Sequence, residues 1–459
     1  MDYLKDYDFA ANSHLFNVKN QKFIFDVNSG AVHALDGLAF NFIETLCANK
    51  GDWEKTVREL SEKFSEQELN DVIEEVQNNI SEGSLFSPEN DLNNFNYEEA
   101  VPKALCLNVA HSCNMRCAYC FAGQGTFGEK EGLMSESVAL KAIDFLIDAS
   151  GERKNLEVDF FGGEPLLNFD VVASTVKYAR SQSLSRGKSI SMTLTTNALL
   201  LNARERQFII DEDLGIIMSL DGRPKTNDRM RRLPGGDGTF DLVVDNIHEM
   251  MAMNPTSYYV RGTYTALNPD FTNDFKHLVG LGFRNISLEP IVGGPAGLAL
   301  REELMPYIMD EYEDLAETLF ILERTGYPIN FFHFNLDING GPCISKRLTG
   351  CGAGVEYLAV TPSGDIYPCH QFIGKSEFLM GNVQAGQLDR SIIKRFSRNT
   401  VLDKECRHCW ARFYCGGGCH ANALNANGQL SSPDKLACNM QQKRLECSFY
   451  LAARKTGVI

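Results

Sequence analysis

Alternation and helical spacing of apolar residues divide the first 95 residues of the chain into short elements. Turn-like polar segments separate three β-prone runs, at residues 14–18, 22–27 and 31–35. Apolar residues then recur at helical spacing in three stretches, at residues 38–48, 53–64 and 67–80. This order predicts a small α+β domain over residues 1–95. An acidic, asparagine-rich segment at 89–99 is the expected linker to the next domain.

Strand-like and helix-like patterns alternate from residue 100 to about residue 310. Six apolar runs predict strands, at residues 104–110, 156–161, 191–196, 216–220, 258–265 and 285–290. Amphipathic stretches such as 135–149 lie between them, with Ser135 as an N-cap. Six β/α units predict an α/β fold whose parallel sheet rolls into a partial barrel, because a closed barrel needs eight. Ligands then bind where the strands end and the following loops begin.

Composition restricts the class of protein further. The chain has 459 residues, 44% of them hydrophobic, which is enough for about three domains with large cores. Neither a signal peptide nor a run of about 18 apolar residues occurs, so we expect a cytoplasmic protein without a membrane partner. The formal net charge of −16 argues against nucleic acid as the main partner, and the basic run 229–232 is interpreted as a solvated face.

Cysteines are unevenly distributed along the chain. Residues 1–95 contain only Cys47, three cysteines cluster at 113–120, and nine of the 14 lie between 343 and 447. In the cytoplasm such cysteines bind metal or carry redox chemistry more often than they form disulfides. The distribution predicts a metal-rich C-terminal module over 343–459, with residues 311–342 bridging to the barrel. Cys106 and Cys447 lie in apolar surroundings and are predicted to be core residues.

The cluster at 113–120 has the spacing C-x₃-C-x₂-C, formed by Cys113, Cys117 and Cys120 directly after the first predicted barrel strand. Three thiolates can hold three irons of a [4Fe–4S] cluster, which leaves the fourth iron free for a small molecule. A structural zinc site needs four protein ligands, and the next cysteine along the chain is Cys343, so zinc fits poorly.

Residues at the ends of the next strands extend this pattern. Gly162-Gly163-Glu164 follows the second strand, and together with the cysteine motif it resembles the radical S-adenosylmethionine (SAM) superfamily. The resemblance implies that the open iron binds SAM and that Glu164 holds its amino group. It also implies a set of SAM contacts, which are Tyr119, Gly162, Gly163, Glu164, Thr195, Asn197, Ser219, Arg261 and Leu288. Two alternatives remain open: Arg261 pairs with an acid inside the barrel mouth, and Leu288 is a core leucine.

Seven cysteines near the C-terminus resemble the SPASM domain of radical SAM enzymes. They are Cys351, Cys369, Cys406, Cys409, Cys415, Cys419 and Cys438. That resemblance implies two auxiliary [4Fe–4S] clusters, one held by Cys406, Cys409, Cys415 and Cys438 and one held by Cys351, Cys369 and Cys419. The fourth ligand of the latter is either Cys343 or a cysteine of the substrate. A zinc ribbon over 406–419 is the alternative, but it leaves three of the cysteines unexplained.

His370 directly follows Cys369, at a position where some SPASM enzymes carry a proposed base. An imidazole can accept a proton near neutral pH. The alternative is a histidine that hydrogen-bonds cluster sulfur or backbone.

The order of a winged-helix-like recognition element, a SAM barrel and a two-cluster domain resembles the maturases of ribosomal peptides. The stretch 350–371 is most similar to the maturases of six-cysteine (SCIFF) peptides. This resemblance implies three [4Fe–4S] clusters, a small cysteine-rich precursor peptide with a leader, and an electron donor such as flavodoxin or ferredoxin. The implied reaction is hydrogen abstraction by a 5′-deoxyadenosyl radical, after which a cysteine sulfur closes a thioether. Formylglycine formation of the sulfatase-maturing type is the alternative, and a non-enzymatic electron carrier is a weaker one.

Overall fold

The N-terminal part of the chain is an antiparallel sheet covered by helices. The computed structural model describes residues 2–89, 92, 97–336 and 344–457. A short helix α1 (Phe9–Asn12) precedes the strands β1 (Ser13–Val18), β2 (Gln21–Asp26) and β3 (Val32–Leu35), which pair in the order β1-β2-β3. The helices α2 (Gly37–Ala48), α3 (Trp53–Leu60) and α4 (Glu66–Ser81) follow. The predicted order of three strands and three helices is therefore confirmed.

Side-chain caps fix where these helices begin. Asp36 and Asp52 accept hydrogen bonds from backbone N–H groups of the first turns of α2 and α3. Ser65 and Glu68 form a capping box at the start of α4. One face of the sheet, including Ile24, packs on the helices, while Phe16, Phe23 and Phe25 belong to the core of the rest of the molecule.

The central part is the expected series of β/α units. Its strands are β4 (Ala104–His111), β5 (Gly132–Leu133), β6 (Asn155–Gly162), β7 (Ser189–Thr196), β8 (Gly215–Ser219), β9 (Tyr258–Tyr264), β10 (Asn285–Pro290) and β11 (Asn330–Phe331). Its helices are α5 (Glu136–Ala149), α6 (Phe169–Ser185), α7 (Ala203–Asp211), α8 (Pro224–Met230), α9 (Phe240–Ala252), α10 (Phe271–Gly280) and α11 (Met305–Arg324). Six of these strands, β4 and β6 to β10, coincide with the six predicted ones, and they pair in parallel.

The C-terminal part combines short elements with one long helix. It contains α12 (Ile344–Thr349), β12 (Tyr357–Val360), β13 (Asp365–Tyr367), β14 (Gly381–Asn382), α13 (Arg390–Ser397), α14 (Arg412–Cys415), α15 (His420–Asn427) and α16 (Lys435–Thr456). The helix α16 packs along α11 and against β1. Lys443 binds Glu313 at 2.9 Å, and the Tyr450 hydroxyl donates to Glu317 at 2.6 Å. Cys106 and Cys447 are buried core residues, as predicted.

The main sheet extends beyond the six predicted strands at both edges. Its order is β11-β10-β9-β8-β7-β6-β4-β12-β13-β14, and β5 pairs with β4. The strand β12 lies parallel to β4 with Tyr357 opposite Ala104, and the Glu356 carbonyl accepts hydrogen bonds from Lys103 N and Ala104 N at 2.7 and 2.9 Å. The expected division into 100–310, 311–342 and 343–459 stays a prediction, and sheet pairing crosses both of its internal boundaries. None of the described helices has the length and apolarity needed to cross a membrane.

Candidate functional site

A cavity of about 750 Å³ lies where the barrel strands end. Its wall includes all three cysteines of the C-x₃-C-x₂-C motif and also four C-terminal cysteines, Cys351, Cys415, Cys419 and Cys438. Cysteines that are more than 200 positions apart in the chain therefore meet in one compartment. The predicted site residues Tyr119, Gly162, Gly163, Thr195, Asn197, Ser219, Arg261 and His370 also line it.

The cysteine loop after β4 is held by backbone hydrogen bonds to the end of α8. Arg116 N donates to Arg232 O, and Ala118 N donates to Met230 O, both at 2.8 Å. Burial raises the pKa of Cys117 to about 11, and neighbouring Asp221, Cys120 and Cys113 add to the rise against the opposing charge of Arg231. Without metal the Cys117 thiol is therefore protonated, and iron binding would release its proton.

Two glycines after β6 allow the next loop to pack directly on the cysteine loop. A Cβ on Gly162 would lie 2.4 Å from Ala110 O, and one on Gly163 would lie 2.2 Å from Ser112 O. Gly162 has φ of +133°, a conformation that side chains disfavour. Only glycine fits at these two positions, and their bare backbone faces the cavity.

Glu164 does not line the cavity, which departs from its expected role as a direct SAM contact. Its carboxylate is fully buried and accepts three hydrogen bonds, from Thr196 Oγ1 at 2.7 Å, Asn197 N at 2.8 Å and Leu166 N at 3.0 Å. Burial raises its pKa, and these hydrogen bonds oppose the rise. In this structure Glu164 ties the loop after β6 to the end of β7.

The end of β7 contributes an amide that bridges two loops. The Asn197 side-chain nitrogen donates to Asn114 Oδ1 at 2.8 Å and lies 3.8 Å from Cys113 Sγ. Thr195 and Ser219 line the same cavity at the ends of β7 and β8. These three predicted residues thus surround the cysteine loop.

A buried cluster beside the cysteines escaped the sequence analysis. The Tyr119 hydroxyl donates to Asp221 at 2.7 Å and accepts from Arg231 Nη1 at 2.8 Å. Arg231 is only 7% exposed, lines the cavity, and its Nε has no hydrogen-bond partner among the described residues. The interpretation of 229–232 as a solvated face was wrong for Arg231, because α8 turns this side chain inward. The only sequence signal was Asp221, two residues after Ser219.

The structure bears on the alternatives that the sequence left open for Arg261 on β9 and Leu288 on β10. Arg261 lines the cavity and also lies 3.5 Å from Glu289, so its guanidinium is paired with an acid. Leu288 is 1% exposed and does not line the cavity, which favours the core alternative for its side chain.

The seven C-terminal cysteines include thiols that affect one another electrostatically. Burial raises the pKa of Cys438 to about 12, with further contributions from Cys415, Cys406 and Cys409. Burial likewise raises the pKa of Cys369, and Cys351 and Cys419 add to it. The division of the seven cysteines into two groups of cluster ligands stays a prediction. Among the described residues, no three His, Cys, Asp or Glu side chains are close enough together to hold a single metal ion. A four-iron cluster does not need such a group, because each of its ligands binds a different iron.

Lys404 lies buried between these two groups. It is 5% exposed, and its Nζ donates to Gly417 O at 3.1 Å. Burial lowers its pKa, while Cys406, Cys415, Cys351 and Cys419 raise it. Cysteine ligands lose their protons when they bind iron, so the sites become more negatively charged. A positive charge on Lys404, close to thiols of both groups, would offset that charge. The alternative ligand Cys343 lies outside the described residues.

His370 lines the cavity between two aromatic rings. Its ring centroid is 5.0 Å from that of Phe161 and 5.5 Å from that of Phe121, and its Nδ1 has no hydrogen-bond partner among the described residues. Burial lowers its pKa to about 4. The imidazole is therefore neutral at pH 7 and is a weak base.

Comparison with known proteins gives matches over most of the chain. A family model described as a 4Fe-4S single cluster domain matches residues 104–236, which include the C-x₃-C-x₂-C loop and Arg231. The radical SAM cyclopropyl synthase TigE of Paramaledivibacter caminithermalis is 23% identical over 402 residues, 81% of this chain and 81% of that protein. The serine-type anaerobic sulfatase-maturating enzyme of Klebsiella aerogenes is 25% identical over 346 residues, 70% of this chain and 80% of that enzyme.

Solved structures share the fold. Native anSMEcpe with bound AdoMet and Cp18Cys peptide has a TM-score of 0.65 at 18% identity, covering 78% of this chain and 100% of that one. Streptococcus suis SuiB bound to S-adenosylmethionine has a TM-score of 0.56 at 15% identity, covering 93% of this chain and 98% of that one.

The fold, the cysteine loop and these relatives together define the chain as a radical SAM enzyme, with SAM and a [4Fe–4S] cluster as cofactors. Within that class, the relatives that the chain resembles over most of its length include peptide maturases.

Proposed function

We propose that this enzyme forms a thioether between a cysteine sulfur and a carbon atom of a ribosomally made, cysteine-rich precursor peptide. The observation that carries the proposal is the single cavity lined by the cysteines of the C-x₃-C-x₂-C loop and by C-terminal cysteines. A substrate in that cavity meets both the site of radical generation and a site that can hold a thiolate and accept an electron.

Three cluster sites follow from this proposal. Cys113, Cys117 and Cys120 hold the cluster that binds SAM, and the two C-terminal groups hold the auxiliary clusters. When bound, the first cluster and SAM supply the 5′-deoxyadenosyl radical, with methionine as the second product. Cysteine thiolates are the usual ligands of such clusters, so the donor sets fit.

Arg231 is our candidate for the SAM carboxylate, in place of Arg261. Its guanidinium is buried beside the cysteines, and its Nε has no hydrogen-bond partner among the described residues. Both arginines lie near an acid, Arg231 at 3.9 Å from Asp221 and Arg261 at 3.5 Å from Glu289, but Arg261 lies on β9, which three other strands separate from β4. The bare backbone of Gly162 and Gly163 and the side chains of Tyr119, Asn197 and Ser219 complete the surface offered to SAM. Glu164 acts through the loops that it holds in place.

The proposed reaction balances without an external oxidant. One hydrogen atom passes from a substrate carbon to the 5′ carbon of the deoxyadenosyl group, and the substrate thiol loses a proton. Closure of the carbon–sulfur bond releases one electron. Clusters held by the C-terminal cysteines would accept this electron, and it would replace the one used to cleave SAM. A donor such as flavodoxin or ferredoxin then supplies only the first reduction. His370 stays a candidate proton acceptor, although its low pKa of about 4 counts against it.

Leader recognition is proposed for the edge of β3. The strand β1 contacts α16, whereas β3 pairs only with β2 among the described strands. Asp26 N donates to Ala31 O, so by antiparallel alternation the N–H groups of Val32 and Ala34 point away from β2. An extended leader can add to this edge by main-chain hydrogen bonds.

Ala34→Pro tests this recognition mode, because proline removes an outward N–H and leaves the β2 ladder intact. We expect weaker binding of a cysteine-rich precursor peptide that carries its leader, and undiminished peptide-independent SAM cleavage. Ala34→Ser keeps the N–H and serves as the control. Equal affinity of the two variants for the peptide would exclude leader addition at β3.

Mass spectrometry of the modified peptide tests the reaction itself. A thioether retains all sulfur and removes two hydrogen atoms, and the crosslinked thiol resists alkylation. Formylglycine formation is the second candidate, because the chain is similar to the serine-type Klebsiella aerogenes enzyme. Conversion of a cysteine removes its sulfur, whereas conversion of a serine removes two hydrogen atoms and leaves every thiol open to alkylation. Loss of sulfur, or loss of two hydrogen atoms with all thiols still alkylated, would therefore reject the thioether proposal.

A further inference from the structure

A second group of charged side chains lies in the cavity wall, away from the cysteine loop. Arg261 of β9 and Glu289 of β10 line the cavity together with Arg444 of α16. Three strands, β8, β7 and β6, separate β9 from β4 in the sheet. These residues therefore belong to a different part of the barrel from the strand that leads into the cysteine loop.

Arg444 is the unusual member of this group. It is 7% exposed, and its Nε donates to the Tyr312 hydroxyl at 2.9 Å, which fixes the direction of the guanidinium. Its Nη2 is buried and has no hydrogen-bond partner among the described residues. A buried donor left unsatisfied destabilises a protein, so its retention in a cavity wall points to a ligand.

Charge identifies the ligand class. Arg261 and Arg444 bring two positive charges, and Glu289, which lies 3.5 Å from Arg261, brings one negative charge. His333 lies 3.2 Å from Glu289 and is neutral at pH 7, because burial lowers its pKa. One positive charge remains uncompensated at a desolvated wall, where a guanidinium binds a carboxylate most strongly.

We propose that Arg444 and Arg261, aligned by Glu289 and Tyr312, form a subsite for a carboxylate of the substrate peptide. The carboxylate belongs either to an acidic side chain or to a C-terminus. The inference rests on the proposed function, since it supplies the contact that positions a peptide beside the radical. SAM is the other carboxylate in the cavity, and Arg231 beside the cysteines is the residue that we assign to it.

Capped five-residue peptides test the subsite with the reconstituted holoenzyme and SAM. One probe contains cysteine and glutamate, the second has glutamine in place of glutamate, and the third has glutamine and a free C-terminal carboxylate. Anaerobic calorimetry is expected to give about tenfold or tighter binding for a carboxylate probe than for the neutral one. The glutamate and free-terminus probes distinguish the two sources of the carboxylate.

Substitutions of Arg444 and Arg261 then test whether these two residues cause the preference for a carboxylate probe. Arg444→Gln should abolish the discrimination while SAM affinity and peptide-independent 5′-deoxyadenosine formation stay unchanged. The more exposed Arg261→Gln should also abolish the discrimination. Arg454→Gln is the control, because Arg454 lies on the same helix but pairs with Glu317 outside the cavity.

Two outcomes would contradict the proposed carboxylate subsite. Equal binding of all three probes rejects a carboxylate site, and a loss of SAM affinity in Arg444→Gln assigns this arginine to SAM. Because the probes lack a leader, either result leaves the thioether proposal and the role of β3 to their own tests.

Discussion

Replacing Glu164 by glutamine separates two explanations of the Gly-Gly-Glu motif. If the carboxylate binds the SAM amino group, the variant should lose SAM affinity and keep its stability. The structure instead gives this carboxylate three internal hydrogen bonds, from Thr196, Asn197 and Leu166. We therefore expect the main effect of Glu164→Gln to be on stability.

The size of the effect follows from these contacts. Oε1 accepts from both Thr196 and Leu166, so a glutamine oxygen there leaves its amide nitrogen facing the N–H of Asn197. The variant loses a hydrogen bond to a charged acceptor and buries two opposed donors, which together destabilise the fold by about 3 kcal/mol. For a unit the size of the barrel this lowers Tm by about 6–12 °C.

Anaerobic thermal unfolding and SAM calorimetry on the same preparation provide the assay. Glu157→Gln is the matched control, since Glu157 lies on the same strand β6, is 49% exposed, and makes a surface ion pair with Lys103. Such pairs contribute about 0–1 kcal/mol, so the control should barely shift Tm. An unchanged Tm in Glu164→Gln combined with loss of SAM binding would refute the structural explanation.

Three further predictions concern the clusters and pH. Replacing Cys113, Cys117 and Cys120 by alanine should abolish 5′-deoxyadenosine formation and remove about 4 of about 12 irons, and residual cleavage activity would contradict the assignment. Lys404→Gln should lower the reduction potential of the C-terminal clusters measured by voltammetry, because a buried positive charge is lost; an unchanged potential would count against its proximity to both groups. Burial lowers the pKa of His333 in the folded state, so the stability of the fold should decrease as pH drops below about 6.5. His333→Asn should make Tm less dependent on pH in this range. The groups that face this ring are Glu289, Arg261, Arg444 and Ser287.

The sequence predicted those parts of the fold that depend on long, regular patterns. Each of the six barrel strands is an apolar run of sufficient length, and the observed strand ends differ from the predicted ones by at most two residues. The strands β11 and β12 have two and four residues, too few for a periodic signal. Their place in the sheet depends on tertiary pairing, so the extension of the sheet at both edges was not predictable from local sequence.

The functional site was likewise predictable from the sequence only in part. Cysteine spacing was sufficient to predict that Cys113, Cys117 and Cys120 face one site, and all three line the same cavity. The ligand sets of the C-terminal cysteines stay a prediction. The direction of a side chain was not predictable: Glu164 turns into the loop framework, and Arg231 turns from a charged run into the cavity. Both depend on contacts with residues far along the chain, which no local pattern records.

Pairing of β12 with β4 has a consequence for electron movement. The strand β4, which leads into the C-x₃-C-x₂-C loop, and the strand β12, which follows Cys351, are neighbours in one hydrogen-bonded sheet. Backbone pairing thus links the two cysteine-bearing regions. If both regions hold iron as proposed, this shared sheet would limit changes in the electron-tunnelling distance between them.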